Sequence, residues 1–523
     1  MNALSSLKSA AIVGVACLAP LFASAQGATD LYQISQTDLR GTARYEAMAG
    51  AFGALGGDIS TLIQNPGGIG IYRSCDVAVT IDLDLQKTYL DVTSPTKQTK
   101  FNCNNFGYVG SFKTNSETMP FFNFGISYNR KASFNRHYYA TDVPIATSLT
   151  NHIANGTDGW PVAEIEHDAI YKNPYTEGTA PWMSILAYDA YLINPTSERS
   201  YQGLAGAYTV GLAETEVIET GGIDEFNLSF GGNIRNIVYW GVSLGLNTVK
   251  YDRYNFHGEL LDNAEIWDNV NQEYVTAPAA FAIENKLHTQ GTGLNGKFGV
   301  IVRPTDALRL GAAIHTPTYF NLRDDYFTSA NYDFGDYGNG RAQTNDGYDG
   351  QTWYKLRTPL KYIFSAALVH QLGLISFDYE GTNYSGMKMK DDRGVDMVEV
   401  NDDVKNYYQT SHTFRIGAEY RLSPKWSIRA GYSYQTSPMK KDMIDGRLTV
   451  YTASTTPAYI VDNNIQYITC GLGYKYRNVY FDLAYVHKTR NGDYRMWDTM
   501  DGGPVMKLTD HNNRIAATLG FRF

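Results

Sequence analysis

Long stretches of this chain alternate in polarity with a period of two. In KWSIRAGYSYQTS, residues 425–437, Trp426, Ile428, Ala430, Tyr432 and Tyr434 fall on one face, and Ser427, Arg429, Gly431, Ser433 and Gln435 on the other. In VYFDLAYVH, Val479, Phe481, Leu483 and Tyr485 oppose Tyr480, Asp482 and Ala484. ALRLGAAIHT (307–316) and IVYWGVSLGLN (237–247) follow the same rule. Successive strand residues point to opposite faces, so these segments read as strands with one apolar face and one small or polar face. Similar text recurs at roughly 75–92, 100–113, 120–135, 221–235, 237–254, 286–302, 306–322, 355–370, 373–383, 408–422, 425–438, 463–477, 479–490 and 510–523, about fourteen strands in all.

A soluble sandwich shows the same alternation, and the connections decide between the two. One set is short: TNSETM, RN, RPTD, QLG, LSPK and YRN. The other set is mostly long and includes 136–220, 255–285, 323–354, 384–407 and 439–462. Short turns on one rim and long loops on the other mark an outer-membrane barrel, with periplasmic turns and extracellular loops. Most segments are long enough to cross a bilayer when tilted. The last, NRIAATLGFRF, puts Ile515, Ala517, Leu519, Phe521 and Phe523 on one face. A final strand ending in Phe looks like the signal read by the barrel-assembly machinery, and its pairing with the first strand would close the sheet. The expected fold is all-β: a transmembrane outer-membrane barrel of about 14 antiparallel strands.

Composition narrows the class. The chain has 40 Tyr, 23 Phe and 7 Trp, with mean hydropathy −0.32. No stretch after the first residues approaches the ~18 apolar residues of a membrane helix. A barrel's polar lumen hides its membrane character from hydropathy. A net charge of −9 without a basic tract argues against nucleic acid. Residues 1–25 read as a signal peptide: a single Lys8, an apolar run and Ala23-Ser24-Ala25 as the cleavage site. After it remain Cys75, Cys103 and Cys470, which make no disulfide framework.

GAFGALGGDISTLIQNPGGIGIYR, residues 50–73, is rich in glycine and precedes the first strand. A barrel of this width cannot be filled by wall side chains alone. Residues 26–71 are therefore expected to form a hatch inside it, with residues 72–523 as the barrel. Gly50, Gly53, Gly56, Gly57, Gly67, Gly68 and Gly70 would let backbone approach backbone.

The segment GTARYEAMAGAFGALGGDISTLIQNPGGIGIYRS resembles the N-terminal hatch of the FadL/TodX family of outer-membrane hydrophobic-compound transporters. Asn65 and Pro66 match that family's Asn-Pro-Ala motif, and Gly67 replaces its alanine. LRLGAAIHTPTYFNL, WSIRAGYSYQTSPM and ITCGLGYKYRNVYFDLAYVH resemble further family segments; residues 136–220 do not align. The resemblance implies passive uptake of hydrophobic small molecules, long-chain fatty acids or aromatic hydrocarbons, into a Gram-negative cell. Ligand would land on apolar extracellular loops, enter a lumen site, shift the hatch, and leave through a gap in the wall or toward the periplasm. Asn65, Pro66, Gly67 and Gly68 would form the gating joint. No cofactor and no metal are implied. The expected surroundings are outer-membrane lipid and lipopolysaccharide, around a monomer. The alternative is a haem receptor, or a partner-binding or secretion component.

The longest loop, 136–220, holds Trp160 and the apolar run Trp182, Met183, Ile185, Leu186 and Tyr188. These residues are the candidate landing site; the other reading is a mini-core that folds the loop onto the barrel rim, and the two are compatible. Enzyme signatures carry little. GVSLG (241–245) fits G-x-S-x-G, but Ser243 lies in an alternating strand rather than a strand-to-helix elbow. GTGLNG (291–296) is followed by more strand, which leaves no helix for a nucleotide. Glu164, Glu166 and His167 read as loop surface.

Overall fold

The computed structural model describes residues 27–91, 94–167, 172–268, 270–452 and 455–523. The signal peptide read at 1–25 lies outside the described residues. The described chain forms a closed antiparallel barrel of fourteen strands. The first half comprises β1 (Asp76–Leu90), β2 (Thr96–Lys113), β3 (Phe121–Ser133, continued as Arg136–Ile145), β4 (Val210–Ile234), β5 (Val238–Asp268), β6 (Glu273–Val302) and β7 (Leu308–His315, continued as Tyr319–Asp333). The second half comprises β8 (Gly350–Arg357, continued as Leu360–His370), β9 (Gly373–Asn383), β10 (Thr410–Arg421), β11 (Trp426–Thr436), β12 (Tyr459–Tyr476), β13 (Val479–Arg495) and β14 (Val505–Arg522). β14 returns to β1 in an unbroken register from Asp76↔Arg522 to Leu90↔Leu508.

The alternation that defines each strand sorts its side chains at membrane height. On β4, Phe226, Leu228 and Phe230 face outward and are exposed, while Glu225, Asn227 and Ser229 are buried in the lumen. On β5, Leu244 and Leu246 face outward and Ser243 and Asn247 inward. Hydrocarbon accepts the first set, and the polar interior accepts the second.

Segment 255–285, read from sequence as a loop, is instead continuous hairpin: β5 has 31 residues and β6 has 30. At about 3.3 Å per residue such strands run far beyond the ~9–11 residues that cross a bilayer. Their polarity inverts above the membrane. There Leu261, Ala264, Ile266, Phe281 and Ile283 point inward and are buried, while Asp262 and Asn263 are exposed. A search for apolar-out alternation therefore stops at the membrane edge although the ladder continues.

The inward apolar residues face a dome. Residues 136–220 carry the upper part of β3, helices at Leu149–Thr157, Val162–Ile165, Pro174–Glu177 and Trp182–Asp189, a short hairpin at 193–203, and the start of β4. Leu149, Ile153, Ile185 and Leu186 from the helices join Val217, Leu261, Ile266, Phe281 and Met506 from the strands, and Trp497 from the β13–β14 connection, in one apolar core.

β2 and β3 part company halfway up. Their ladder runs from Lys113↔Phe121 to Asn105↔Asn129 and ends there. Above that point β2 pairs with β1, and β3 pairs with β4. Leu83 and Leu85 of β1 and Phe101 of β2 face outward at this height, so the parting lies at membrane level.

Leu186 is fully buried in the dome. Leu186→Ala should destabilise the dome by about 2–5 kcal/mol, the usual range for such a cavity. The expected outcome is faster proteolysis within 136–220, with the heat-modifiable gel shift of the barrel unchanged. Equal proteolysis rates would show that the dome does not depend on this core.

Candidate functional site

The N-terminal segment lies inside the barrel. It comprises α1 (Ala28–Ser35), α2 (Ala43–Ala47), α3 (Thr61–Gln64) and a 3-10 turn at Pro66–Ile71. α1 sits high, where Leu31, Tyr32 and Ile34 pack with Tyr384, Tyr408 and Met439 from the loops. The chain descends through the lumen to Tyr72 and enters β1. Cys75 pairs its backbone with Phe523, which brings both ends of the barrel to one rim. α2 starts at Thr42, whose hydroxyl accepts from the Tyr45 amide, a standard N-cap.

The wall receives this plug on a belt of small residues. Gly231, Gly241 and Gly299 are neighbours across β4, β5 and β6, and Gly417 and Gly431 are neighbours across β10 and β11. A Cβ at Gly241 would collide with the Pro66 carbonyl oxygen, and one at Gly431 would fall 2.6 Å from the Ala49 nitrogen. Between the two groups, the Asp378 carboxylate of β9 accepts from the Phe52 and Gly53 amides at 3.1 and 2.8 Å.

The Asn65–Gly68 turn is clasped to this belt. Asn65 donates to the Gly53 and Val300 carbonyls at 2.6 and 3.3 Å, and its Oδ1 accepts from the Gly67 amide at 2.9 Å. Pro66 opens the 3-10 turn, a position where no amide hydrogen is needed. Gly67 faces the wall, where a Cβ would sit 2.9 Å from the Gly299 oxygen and the Val300 nitrogen. That contact gives the physical reason for glycine where the resemblance has alanine. Gly68 faces the plug itself, 2.9 Å from the Gly56 Cα by the same measure.

Ion pairs complete the docking. Arg40, with 2% of its side chain exposed, reaches Asp82 and Asp84 of β1 at 2.9 and 2.7 Å. Glu46 pairs with Arg514 at 3.0 Å, and Arg44 with Glu419 at 2.9 Å. Asp38 pairs with Lys488 at 2.5 Å. Burial opposes ionisation of Asp38, but Lys488 and Arg40 together hold its carboxyl below the usual carboxylate range.

Between plug and wall lies a cavity of about 110 Å³. Its basic groups include Lys131, Lys297, Lys361 and Arg415, and its carboxylates include Glu225 and Glu380. Lys297 and Lys131 share Glu225 at 2.6 and 3.6 Å. Arg415 and Lys361 share Glu380 at 2.9 and 3.6 Å. Two carboxylates thus serve four cations. Ile34, Ile63, Ile223 and Phe320 supply apolar lining. Sequence reasoning missed this group. The available signal was charge on the inward parity of membrane-height strands, which is costly and marks function by default.

The candidate landing residues are placed differently from an open patch. Trp182, Met183, Ile185 and Leu186 are buried, with Trp182 against Tyr175 and Tyr326 at centroid distances of 5.2 and 4.9 Å. Trp160 and Tyr188 are half-buried at the margin of the dome core. The run packs into the dome core with Val217, Leu261 and Phe281. The motif residues also have local duties. The Ser243 hydroxyl lies 2.9 Å from that of Ser229, and 291–296 lie within β6. His167 bridges Asp189 and Asp346 at 3.3 and 3.2 Å. Burial pushes the Asp189 carboxyl up to about 6, with His167 opposing. Among the described residues no His, Cys, Asp and Glu cluster is arranged to hold a metal ion.

A family model described as outer membrane protein transport protein (OMPP1/FadL/TodX) matches residues 213–479, just over half the chain. None of the curated proteins matches. A solved FadL homologue from Pseudomonas aeruginosa superposes with a TM-score of 0.50 at 12% identity, covering 93% of this chain and 99% of its own. A TodX monoaromatic hydrocarbon channel carrying the deltaS2 mutation gives 0.52 at 13% identity, covering 93% and 100%. At that identity the likeness is one of fold.

Asn65→Ala removes three bonds and leaves buried backbone groups unpaired, a cost of about 1–3 kcal/mol for such a group. The plug should loosen while the barrel stays folded. Trypsin cleavage at Arg40 and Arg44, slow in the unmodified protein, should accelerate, with heat-modifiable migration retained. Unchanged protection would remove the clasp from the account.

Proposed function

Because this chain belongs to the OMPP1/FadL/TodX family of outer-membrane transport proteins, which are channels for hydrophobic compounds and not enzymes, we propose that it takes up amphiphiles with an anionic head, long-chain fatty acids above all. One observation carries the choice: four cations share two carboxylates in the lumen cavity. A buried cation without a full counter-charge is costly, and an entering carboxylate relieves that cost. A neutral monoaromatic hydrocarbon would displace water from the same groups and return nothing. The aliphatic lining beside them suits the first methylenes of a chain, at roughly 0.8 kcal/mol for each CH₂ buried.

Transport needs no energy source in this reading. The ligand moves down its gradient from the dome side to the cavity, and the plug yields when the cavity fills. Asn65, Pro66, Gly67 and Gly68 are the fixed pivot, since they are clasped to β5 and β6. The parting between β2 and β3 is the lateral way out. Trp160 and Tyr188, at the dome margin, remain the surface where apolar ligand would first touch. A haem ligand is disfavoured by His315, which lines the cavity but has its Nε2 committed to the Gln64 carbonyl at 2.9 Å.

Lys131→Gln combined with Lys361→Gln leaves one cation for each carboxylate. In cells lacking their own transporter, this variant should take up labelled oleate about tenfold more slowly, corresponding to about 1.4 kcal/mol. Passage of labelled toluene should be unaffected. Undiminished oleate uptake by the variant, or preference of the unmodified protein for toluene, would reject the anionic-head reading.

A further inference from the structure

Asp38 stands where the wall is incomplete. Between Asn129 and His137, where Thr96 of β2 donates to the His137 carbonyl, the backbone ladder between β2 and β3 is interrupted, and Asp38 supplies β3 with a partner there. Its amide donates to the Lys131 carbonyl at 2.7 Å. Its Oδ2 accepts from the Ser133 amide at 3.1 Å, and its Oδ1 accepts from Lys488 Nζ of β13 at 2.5 Å. Two residues on, Arg40 is held by Asp82 and Asp84 of β1. Both of those carboxylates also accept from Asn102 of β2, at 2.8 and 3.0 Å. The Gly41 carbonyl then accepts from Asn104 Nδ2 of β2 at 3.0 Å. Residues 38–41 thus form a strap across the parting on its lumen side, tied to both lips.

The strap also lies between two cavities. The lumen cavity is on one side. On the other is a small one of about 20 Å³, lined by Ala132, Ser133 and Phe134 of the β3 lip. Gln36, Asp38 and Arg40 line both. The small cavity carries five basic side chains against two carboxylates, Asp38 and Asp510. All five are ion-paired, Arg40 to Asp82 and Asp84, Arg136 to Glu219, Arg490 to Asp462, Arg514 to Glu46 and Lys488 to Asp38, so the way from the lumen cavity to the lip is lined by ion pairs, and only the Lys488 pair uses a carboxylate of the strap.

We propose that the Ser133 amide and Lys488 Nζ form a carboxylate-binding site for the transported amphiphile, in which Asp38 is the resident occupant. This rests on the reading of the ligand as an anionic amphiphile. An arriving carboxylate replaces Asp38 on the same two donors, and the strap lets go of β3. The exchange keeps Lys488 compensated, and the released Asp38 stays beside Arg40, now 3.8 Å away. Without a carboxylate to take its place, Asp38 cannot leave, because Lys488 would be stranded as a buried charge. An uncharged ligand of equal length has nothing to offer Lys488, so the strap discriminates by charge where the cavity also selects for apolar chain.

The test uses the full-length protein in detergent, with oleate and oleyl alcohol as probes. Binding is measured by calorimetry and strap release by hydrogen exchange of the peptide covering 37–41. Saturating oleate should raise exchange in that peptide, while oleyl alcohol at the same concentration should not. Asp38→Asn should exchange fast without ligand and bind oleate about tenfold more tightly, since no charged occupant has to be displaced. Lys488→Gln, still folded by gel migration, should bind oleate in the lumen but lose the oleate-induced rise in exchange. Oleate binding without strap release, or weaker oleate binding by Asp38→Asn, would overturn the proposal while leaving the lumen reading in place. Failure of the unmodified protein to bind oleate would bring down that reading and this one with it.

Discussion

A backbone N–H or C=O at membrane depth costs several kcal/mol unless it is paired, and the separation of β2 from β3 leaves two strand edges to be satisfied. In this barrel the partners come from the plug. The Asp38 amide and carboxylate pair with β3, and the Gly41 carbonyl pairs with a β2 side chain. The wall and its contents are thus one hydrogen-bonded object. Moving the plug would uncover the strand edges that it now pairs with. A closed barrel with a freely sliding plug would lack this linkage.

How tightly the two parts fit follows from small side chains. A wide lumen can be plugged by bulky residues from the wall or by backbone brought close to backbone. Here Gly241, Gly299 and Gly431 remove the wall's side chains where Pro66, Asn65 and Ala49 arrive. Around these sites apolar clusters, such as Met48 and Phe52 with Ile465, Tyr467 and Val486, pack the plug against the wall, and polar and ionic pairs lock it: Asp378 on two amides, Arg40 on two carboxylates, Glu46 on Arg514. Each such pair is costly to break alone but exchangeable for another pair of the same charges. An interface of that kind is held firmly and still admits a substitute ligand, whereas a dry apolar interface would have no specific competitor.

The extracellular end obeys a different solvent. There the strands turn their apolar faces inward, and the helices of 136–220 close over them. The same period-two ladder serves hydrocarbon outside at membrane height and an apolar core inside above it. The function of an apolar residue therefore depends on its height along the barrel. Trp182 and Leu186 lie in a long loop by sequence and in the interior of a dome by structure.

The sequence alone determined the barrel, the even strand count, the short connections of one rim, and the small-sided segment ahead of the first strand, whereas 255–285, read as a loop, is strand. Those features follow from local alternation, from turn chemistry and from the need for a spanning sheet to close, and each can be read within about ten or twenty residues. Asn65 and Pro66 were singled out by resemblance to a family motif, and the structure places them in the turn that closes the plug. What only tertiary structure decided is which inward residues meet. Asp38 and Lys488 are 450 positions apart, and Glu225 gathers lysines from β3 and β6. No local pattern records such pairings, because strand tilt and register set the height of every inward side chain. The wall glycines escaped notice likewise: each is an ordinary strand glycine until the plug lies against it. The parting of β2 and β3 is a property of register, which in two otherwise ordinary strands is fixed by what they fail to pair with.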